Sequence, residues 1–288
     1  MLRSHLPVAT VVVAVAVLAG SGATSATAAG RNRRVIKPPA NIAKAHEILF
    51  CSDVTYPPEE FYRGSTPAGS DIDIGSAAAQ LMGVKARFAN TGFDGIIPAL
   101  LSQKCDAIIS GMNDTPTRRK QVSFVDYLRV GQSLMVQKGN PKHVSNLASL
   151  SALRVSVEVG TTNAGFLQNE STKLQAAGKK GIDVVTFPKD TDAANALKTG
   201  KVDAYFGDAP VVAYYIKRDS SFAFAGQPIN PIPVGIALRK DEGQLRADLQ
   251  LAVRRMYANG TMHRILRRWN MSAFALKHLP GSTGRTAS

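Results

Sequence analysis

Residues 110–120 read SGMNDTPTRRK, an order that suits capture of an anion. Thr115 is a good N-cap, Pro116 fits the first helical position, and Arg118 falls inside the first turn. A helix start offers unpaired N–H groups and positive potential, and arginine adds a planar, permanently charged fork; a carboxylate fits both. A capped helix with a surface arginine has the same residues, and Arg119 and Lys120 suit that plainer role. Gly160-Thr161-Thr162 repeats the device: glycine admits a ligand close to the backbone, and hydroxyls and amides follow at a second helix start. Asp208 supplies the opposite charge, as partner for an ammonium or as N-cap of APVVAYYIK. Tyr56 and Phe93 can wall a flat or aliphatic group, or pack in the core. A carboxylate trap and an ammonium trap in one chain make a receptor for a free amino acid.

The elements that must position these residues follow an α/β rhythm. EILFCSD reads as a strand ended by a loop, VTYPPEEFYRGSTPAGS; DIDIGSAAAQLMG is a helix stopped at Gly83, and VKARFAN a strand. FDGIIPALLSQK reads as an amphipathic helix capped by Asp94, and CDAIISG as a buried strand. The second half repeats the theme through LRVSVEVG, TTNAGFLQN, GIDVVTF, TDAANALKTG, KVDAYFGD and APVVAYYIKRD. Two such units imply two lobes, each a mainly parallel, helix-covered sheet. FVDYLRVGQSLMVQKGNP links them outward, QPINPIPVGIALRK brings the chain back, and helices from Asp241 to Asn270 finish the first lobe. Ligands of open α/β sheets sit beyond the carboxyl ends of the strands. That rule gathers Asp53, Tyr56, Gly111, Asn113, Gly160, Thr162 and Asp208 at one interlobe cleft.

Arg3, the run VATVVVAVAVLAG and the small residues SGATSATAAG have the layout of a secretory signal peptide over 1–29. No cysteine precedes Cys51, so no lipid-attachment site is expected, and the protein is expected to be exported and soluble. The net charge of +14 raises a nucleic-acid reading. The export signal argues against it, as does a basic stretch, LAVRRMYANGTMHRILRRWN, whose apolar residues fall at helical spacing. The five histidines are scattered, so no metal or other cofactor is expected. Cys51 and Cys105 are expected to be unpaired. Parallel strands that end together would set them ~13 Å apart in height, while a bridge needs Cα atoms within ~7 Å.

The motifs SDVTYPP, GSDIDIGSAAA, FDGIIPALLSQKCDAIISGMNDTPTRRKQVSFVDYL and VEVGTTNAGFL…GKVDAYFGDAP resemble, in order, the amino-acid-binding proteins of ABC importers (extracellular solute-binding proteins, family 3). The resemblance runs from about Glu47 to Asn270 and implies the two-lobed, type II periplasmic-binding-protein-like fold. It gives the ligand's α-carboxylate to Arg118 and Thr162, and its α-ammonium to Asp208 aided by the Gly111 carbonyl. Tyr56 and Phe93 sandwich the side chain; Asp53 and Glu158 read its polar end. Asn113 departs from the family's Ser or Thr and is left with its backbone N–H. The implied domains are a linker over 30–45, lobe 1 over 46–135 plus 233–270, lobe 2 over 136–232, and a disordered tail over 271–288. The implied partners are a free polar or basic amino acid and a membrane permease, served by a monomeric, non-enzymatic protein. The alternative is a cyclohexadienyl dehydratase-like enzyme on the same fold, with Glu158 as its acid. A receptor's sensor domain would need a second apolar span, which the sequence lacks. The lobes are expected to hinge near Leu134–Gln137 and Val234–Leu238. Asp53, Glu158 and Glu60 near the side-chain end favour a basic or polar neutral solute over an acidic one, unless both glutamates face solvent and Asp53 pairs within the protein.

Overall fold

The apolar stretch EILFCS forms the first strand of the central sheet in this computed structural model, which describes residues 1–2 and 35–278. Beyond its first two residues, the expected signal peptide lies outside the described residues. Everything that follows belongs to the unit beginning at Val35.

Helix α1 (Ala40–Ala45) precedes β1 (Glu47–Ser52). Ile36 and Ile42 are buried in the core, so the described part of the expected linker is packed: its two isoleucines carry the apolar area to anchor it. β2 (Thr55–Tyr56), β3 (Glu60–Arg63) and β4 (Thr66–Ala68) then form a small antiparallel sheet where only a loop was expected. α2 (Ser70–Leu81) and β5 (Lys85–Asn90) follow as predicted. Asp94 caps no helix; it lies inside a 3-10 turn, Phe93–Gly95, that begins one residue earlier, and α3 spans only Ile96–Leu101. β6 (Ala107–Ile108), α4 (Pro116–Arg119) and the long β7 (Ser123–Gln137) complete the first half. The second half runs β8 (Arg154–Glu158), α5 (Thr162–Ala176), β9 (Asp183–Phe187), α6 (Asp190–Lys198), β10 (Ala204–Asp208), α7 (Ala209–Arg218) and β11 (Phe222–Leu238). α8 (Gly243–Ala258) and α9 (Thr261–Arg268) close the chain onto the first lobe.

The strands order as β5-β1-β6-β11-β7-β10-β8-β9. β1 pairs in parallel with β5 and β6, and β8 with β9 and β10, so each end is a parallel sheet. β7 and β11 run antiparallel through both ends and join them. Apolar packing separates in the same way. Val125, Val130 and Val234 belong to the first lobe's core, Leu134, Val136 and Ala225 to the second's. The residues expected to hinge are therefore held in one core or the other. The register of β11 slips between Ala225 and Ile229 and again before Ile232, and residues 226–231 are mostly exposed. Ile229 still packs against the second core, so β11 changes over between Ile229 and Val234, and β7 between Val130 and Leu134.

Cys51 and Cys105 form a disulfide with Cα atoms 5.7 Å apart, contrary to the expectation of free thiols. The height argument assumed that Cys105 lay in a strand. β6 instead begins only at Ala107, opposite Phe50, and residues 102–106 turn back over β1. Asp106 fixes that turn: its N–H donates to the Leu49 carbonyl at 2.8 Å, and its carboxylate accepts from the Leu49 N–H at 2.8 Å. The expected tail is also ordered through residue 278. Met271 is buried, Ala275 bridges Leu128, and the Leu276 N–H donates to the Tyr257 hydroxyl at 2.9 Å.

Candidate functional site between the lobes

Arg118 sits where its motif predicts. The Thr115 hydroxyl accepts from the Arg118 N–H at 3.2 Å, and Pro116 opens the turn. The guanidinium lies over the Phe93 ring, 5.2 Å from its centroid. One nitrogen donates to the Asn113 carbonyl at 3.0 Å and another crosses to the Gly160 carbonyl at 3.2 Å. Gly111 stands beside Tyr56 with φ +49°, and a Cβ there would meet the tyrosine ring at 3.2 Å. Gly160 has φ +76°, and a Cβ would come within 2.8 Å of the Asp94 Cα across the cleft. Only glycine fits either place comfortably.

From the second lobe, Thr161 caps α5, accepting from the Ala164 N–H at 3.0 Å. This leaves the Thr162 hydroxyl to donate to the Asn113 side-chain oxygen across the cleft. Asp208 occupies the N-cap position of α7 yet makes no capping bond. Its carboxylate accepts from the Asn163 amide at 3.2 Å, and its backbone N–H donates to the Tyr56 hydroxyl at 3.3 Å. Tyr56, Phe93, Gly111, Asn113, Glu158, Thr162 and Asp208 line one small cavity of ≈ 10 Å³, with Thr161 and Asn163 completing the wall. The lobes are in contact. A larger hollow of ≈ 460 Å³ beside Leu134, Leu147 and Phe206 holds none of the predicted residues.

Two charge groups meet here. Arg118 and Asp208 form a balanced one. Burial lowers the Arg118 guanidinium to about 10, opposed by the charges of Asp208 and Tyr56. Burial lifts Asp208 to about 6, opposed by hydrogen bonds from Asn163 and Tyr56 and by the charge of Arg118. Asp53, Glu158 and Asp190 form the other group, and it has one sign. Burial, then the charges of Asp190 and Asp53, push Glu158 well above the usual carboxylate range, and one of its oxygens has no partner. Burial raises Asp190 to about 7, although Tyr205 and Tyr215 donate to it. Asp53 is raised mainly by burial, while accepting from the Thr55 hydroxyl at 2.7 Å and the Phe93 N–H at 2.8 Å.

Asp53 thus pairs within the protein but does not line the cavity wall, while Glu158 is buried rather than solvent-facing. Glu60 does not reach the cavity. It is fully buried, accepting from the Ser110 hydroxyl at 2.8 Å, because the short strand β3 turns it inward behind Ser110. Sequence reasoning missed Asn163, which ties Asp208 to Gln132 (2.5 Å to Gln132). It also missed Asp190. Asn163 follows directly on the Gly-Thr-Thr motif, the one signal that could have marked it. Among the described residues no group of three or more His, Cys, Asp and Glu could hold a metal ion, and no helix is long and apolar enough to cross a membrane.

Two lobes joined by paired long strands, closed on a cavity walled by Glu158 and Asp208 with the Arg118 guanidinium bridging the lobes beside it, define a solute receptor. The family of bacterial extracellular solute-binding proteins, family 3, matches residues 48–272, and the chain belongs to it. ABC transporter arginine-binding protein 1 of Escherichia coli (strain K12) is 31% identical over 231 residues, spanning 78% of this chain and 91% of that one. An ancestral arginine-binding protein solved with arginine is 34% identical with a TM-score of 0.71, covering 78% of this chain and 98% of that one. The ancestral amino acid-binding protein AncCDT-1, a precursor of cyclohexadienyl dehydratase, has 30% identity and a TM-score of 0.73, covering 80% and 97%. These relatives are named as binding proteins.

Proposed function

We propose that this chain is the exported, monomeric solute-binding component of an ABC importer and that its solute is a basic amino acid, arginine foremost. The observation that carries the choice of solute is Glu158, buried, with an unpartnered carboxyl oxygen, beside Asp53 and Asp190. Like charges crowded out of water stay neutral or need a cation. A guanidinium supplies that cation and can stack on Tyr56 and Phe93. In this reading Arg118, Thr162 and the start of α5 take the α-carboxylate, while Asp208 and the Gly111 carbonyl take the α-ammonium. Asp53 supports Glu158 from behind, and Asn113 serves through its backbone. The arginine-binding relatives point the same way. Entry needs the lobes to part, and bending between Val130 and Leu134 of β7 and between Ile229 and Val234 of β11, where the strands pass from one core to the other, would allow it.

A thermal-shift screen of the amino acids tests the solute. Arginine should give the largest shift, followed by lysine, ornithine, histidine or glutamine; a response to glutamate or aspartate alone would refute the reading. A second reading has one observation of its own: Glu158, whose hold on its proton burial strengthens, is placed in the cleft of a chain resembling a dehydratase precursor. Release of the aromatic product from arogenate or prephenate would establish it.

A further inference from the structure

The basic stretch over residues 251–270 has no part in the solute cleft, yet its end meets cations from the other lobe. A hollow of ≈ 520 Å³ is lined by Arg63, Arg268 and Trp269 of the first lobe and by Tyr214, Lys217 and Arg218 of the second. Its floor is aromatic. Phe61 contacts Tyr214 across the lobes with centroids 5.7 Å apart and meets Trp269 edge-on at 5.7 Å. The Arg63 guanidinium lies 5.1 Å over Trp269, and that of Arg218 lies 5.5 Å over Tyr214. Arg268 pairs with Asp73 at 3.0 Å, whereas Arg63, Lys217 and Arg218 form no ion pair with any described residue.

Aromatic rings hold two of the guanidinium groups in place, and three unpaired cations from opposite lobes share one hollow when the lobes meet. Their mutual repulsion opposes closure unless an anion answers it. We propose that this hollow binds a multivalent phosphate and is assembled by closure. A phosphate chain packs several charges into a few ångströms, and its oxygens match the arginine fork; carboxylates along a peptide are spaced more widely. Because both lobes supply the cations, the bound anion favours the closed state, and so does the solute. Each must then tighten the other by the same factor. The coupling and the assembly by closure rest on the solute and closure reading given above; phosphate binding by the cations of the hollow does not.

Calorimetry on the mature chain with inorganic tripolyphosphate, with and without saturating arginine, tests it. The expected result is one saturable site, tightened by arginine about fivefold or more, with the same gain for arginine when tripolyphosphate is present. Arg63→Gln and Arg218→Gln, on opposite lobes and away from the solute cavity, should each weaken tripolyphosphate binding about fivefold or more, with melting temperatures confirming that both fold. No saturable binding, an effect confined to one lobe's variant, or tighter binding of hexaglutamate than of tripolyphosphate would each overturn the site, and equal tripolyphosphate affinity with and without arginine in a chain that binds arginine would overturn its assembly by closure. Normal arginine binding without tripolyphosphate binding sinks the phosphate site alone. Tripolyphosphate binding through both arginines in a chain that binds no amino acid sinks the solute reading and the coupling, and leaves the site.

Discussion

Arg118 with Asp208, and Glu158 with its neighbours Asp53 and Asp190, are buried close together and solve opposite problems. The first pair has both signs and offsets part of its own burial: each charge favours ionisation of the other, while burial still lowers Arg118 to about 10 and raises Asp208 to about 6. The second group has one sign, and burial keeps its carboxyls above their usual range. A balanced pair suits the part every amino acid shares, its carboxylate and ammonium. An unbalanced one selects, since only a cation or hydrogen-bond donor relieves it. In the proposed reading, common grip and discrimination are carried by different charges.

The largest effect should come from breaking the common grip. Arg118→Ala or Asp208→Asn leaves a ligand charge buried and unpaired, at a cost of about 2–5 kcal/mol, or roughly thirty- to several-thousand-fold in affinity. Titration calorimetry should show this loss for arginine and glutamine alike with the melting transition retained. Near-normal affinity in either variant would mean that the amino acid is not held this way.

Acid should weaken both groups more gradually. A cationic ligand needs Asp208 and Glu158 ionised and so lowers their raised pKa values. Arginine affinity should be full above those values and fall as pH drops through about 6, where Asp208 titrates, by at most about tenfold per pH unit for each group. Because the ligand needs Asp208 ionised, arginine binding near pH 6 should also release protons, measurable as a dependence of binding heat on the buffer's ionisation enthalpy.

Stability of the unliganded protein should run the other way, with a smaller effect. Asp71 and Asp208 are raised to about 6 and Asp190 to about 7, chiefly by burial. A carboxyl whose folded value exceeds its unfolded value near 3.8 contributes stability at low pH that is lost as pH rises through the folded value. The apo melting temperature should therefore be higher at pH 5 than at pH 8, by a few degrees. Saturating arginine should stabilise more at pH 8 than at pH 5.

Much of the first charge group could be read from the chain, because its chemistry is local. Thr115, Pro116 and Arg118 form one turn, and Gly160 to Thr162 another, so spacing alone places an arginine fork and amides where an anion would sit. The second group is assembled from distant segments. Whether Glu158 or Glu60 reaches the cavity depends on strand register, and a slip of one residue reverses a strand's faces. The disulfide was missed for a related reason: a few residues that leave extended geometry before β6 cancel the height difference on which the expectation rested. The alternation of strands and helices showed two lobes. Where each core lets go of β7 and β11 is set by packing, which no local pattern records.

The division between grip and selection is tested most directly by one ratio. Calorimetry of arginine and glutamine on the wild-type chain and on Glu158→Gln gives the relative affinity of the two solutes in each. Removing the charge that selects should reduce the preference for arginine about tenfold or more, while glutamine binding changes little. An unchanged arginine-to-glutamine ratio, or an equal loss for both solutes, would contradict it.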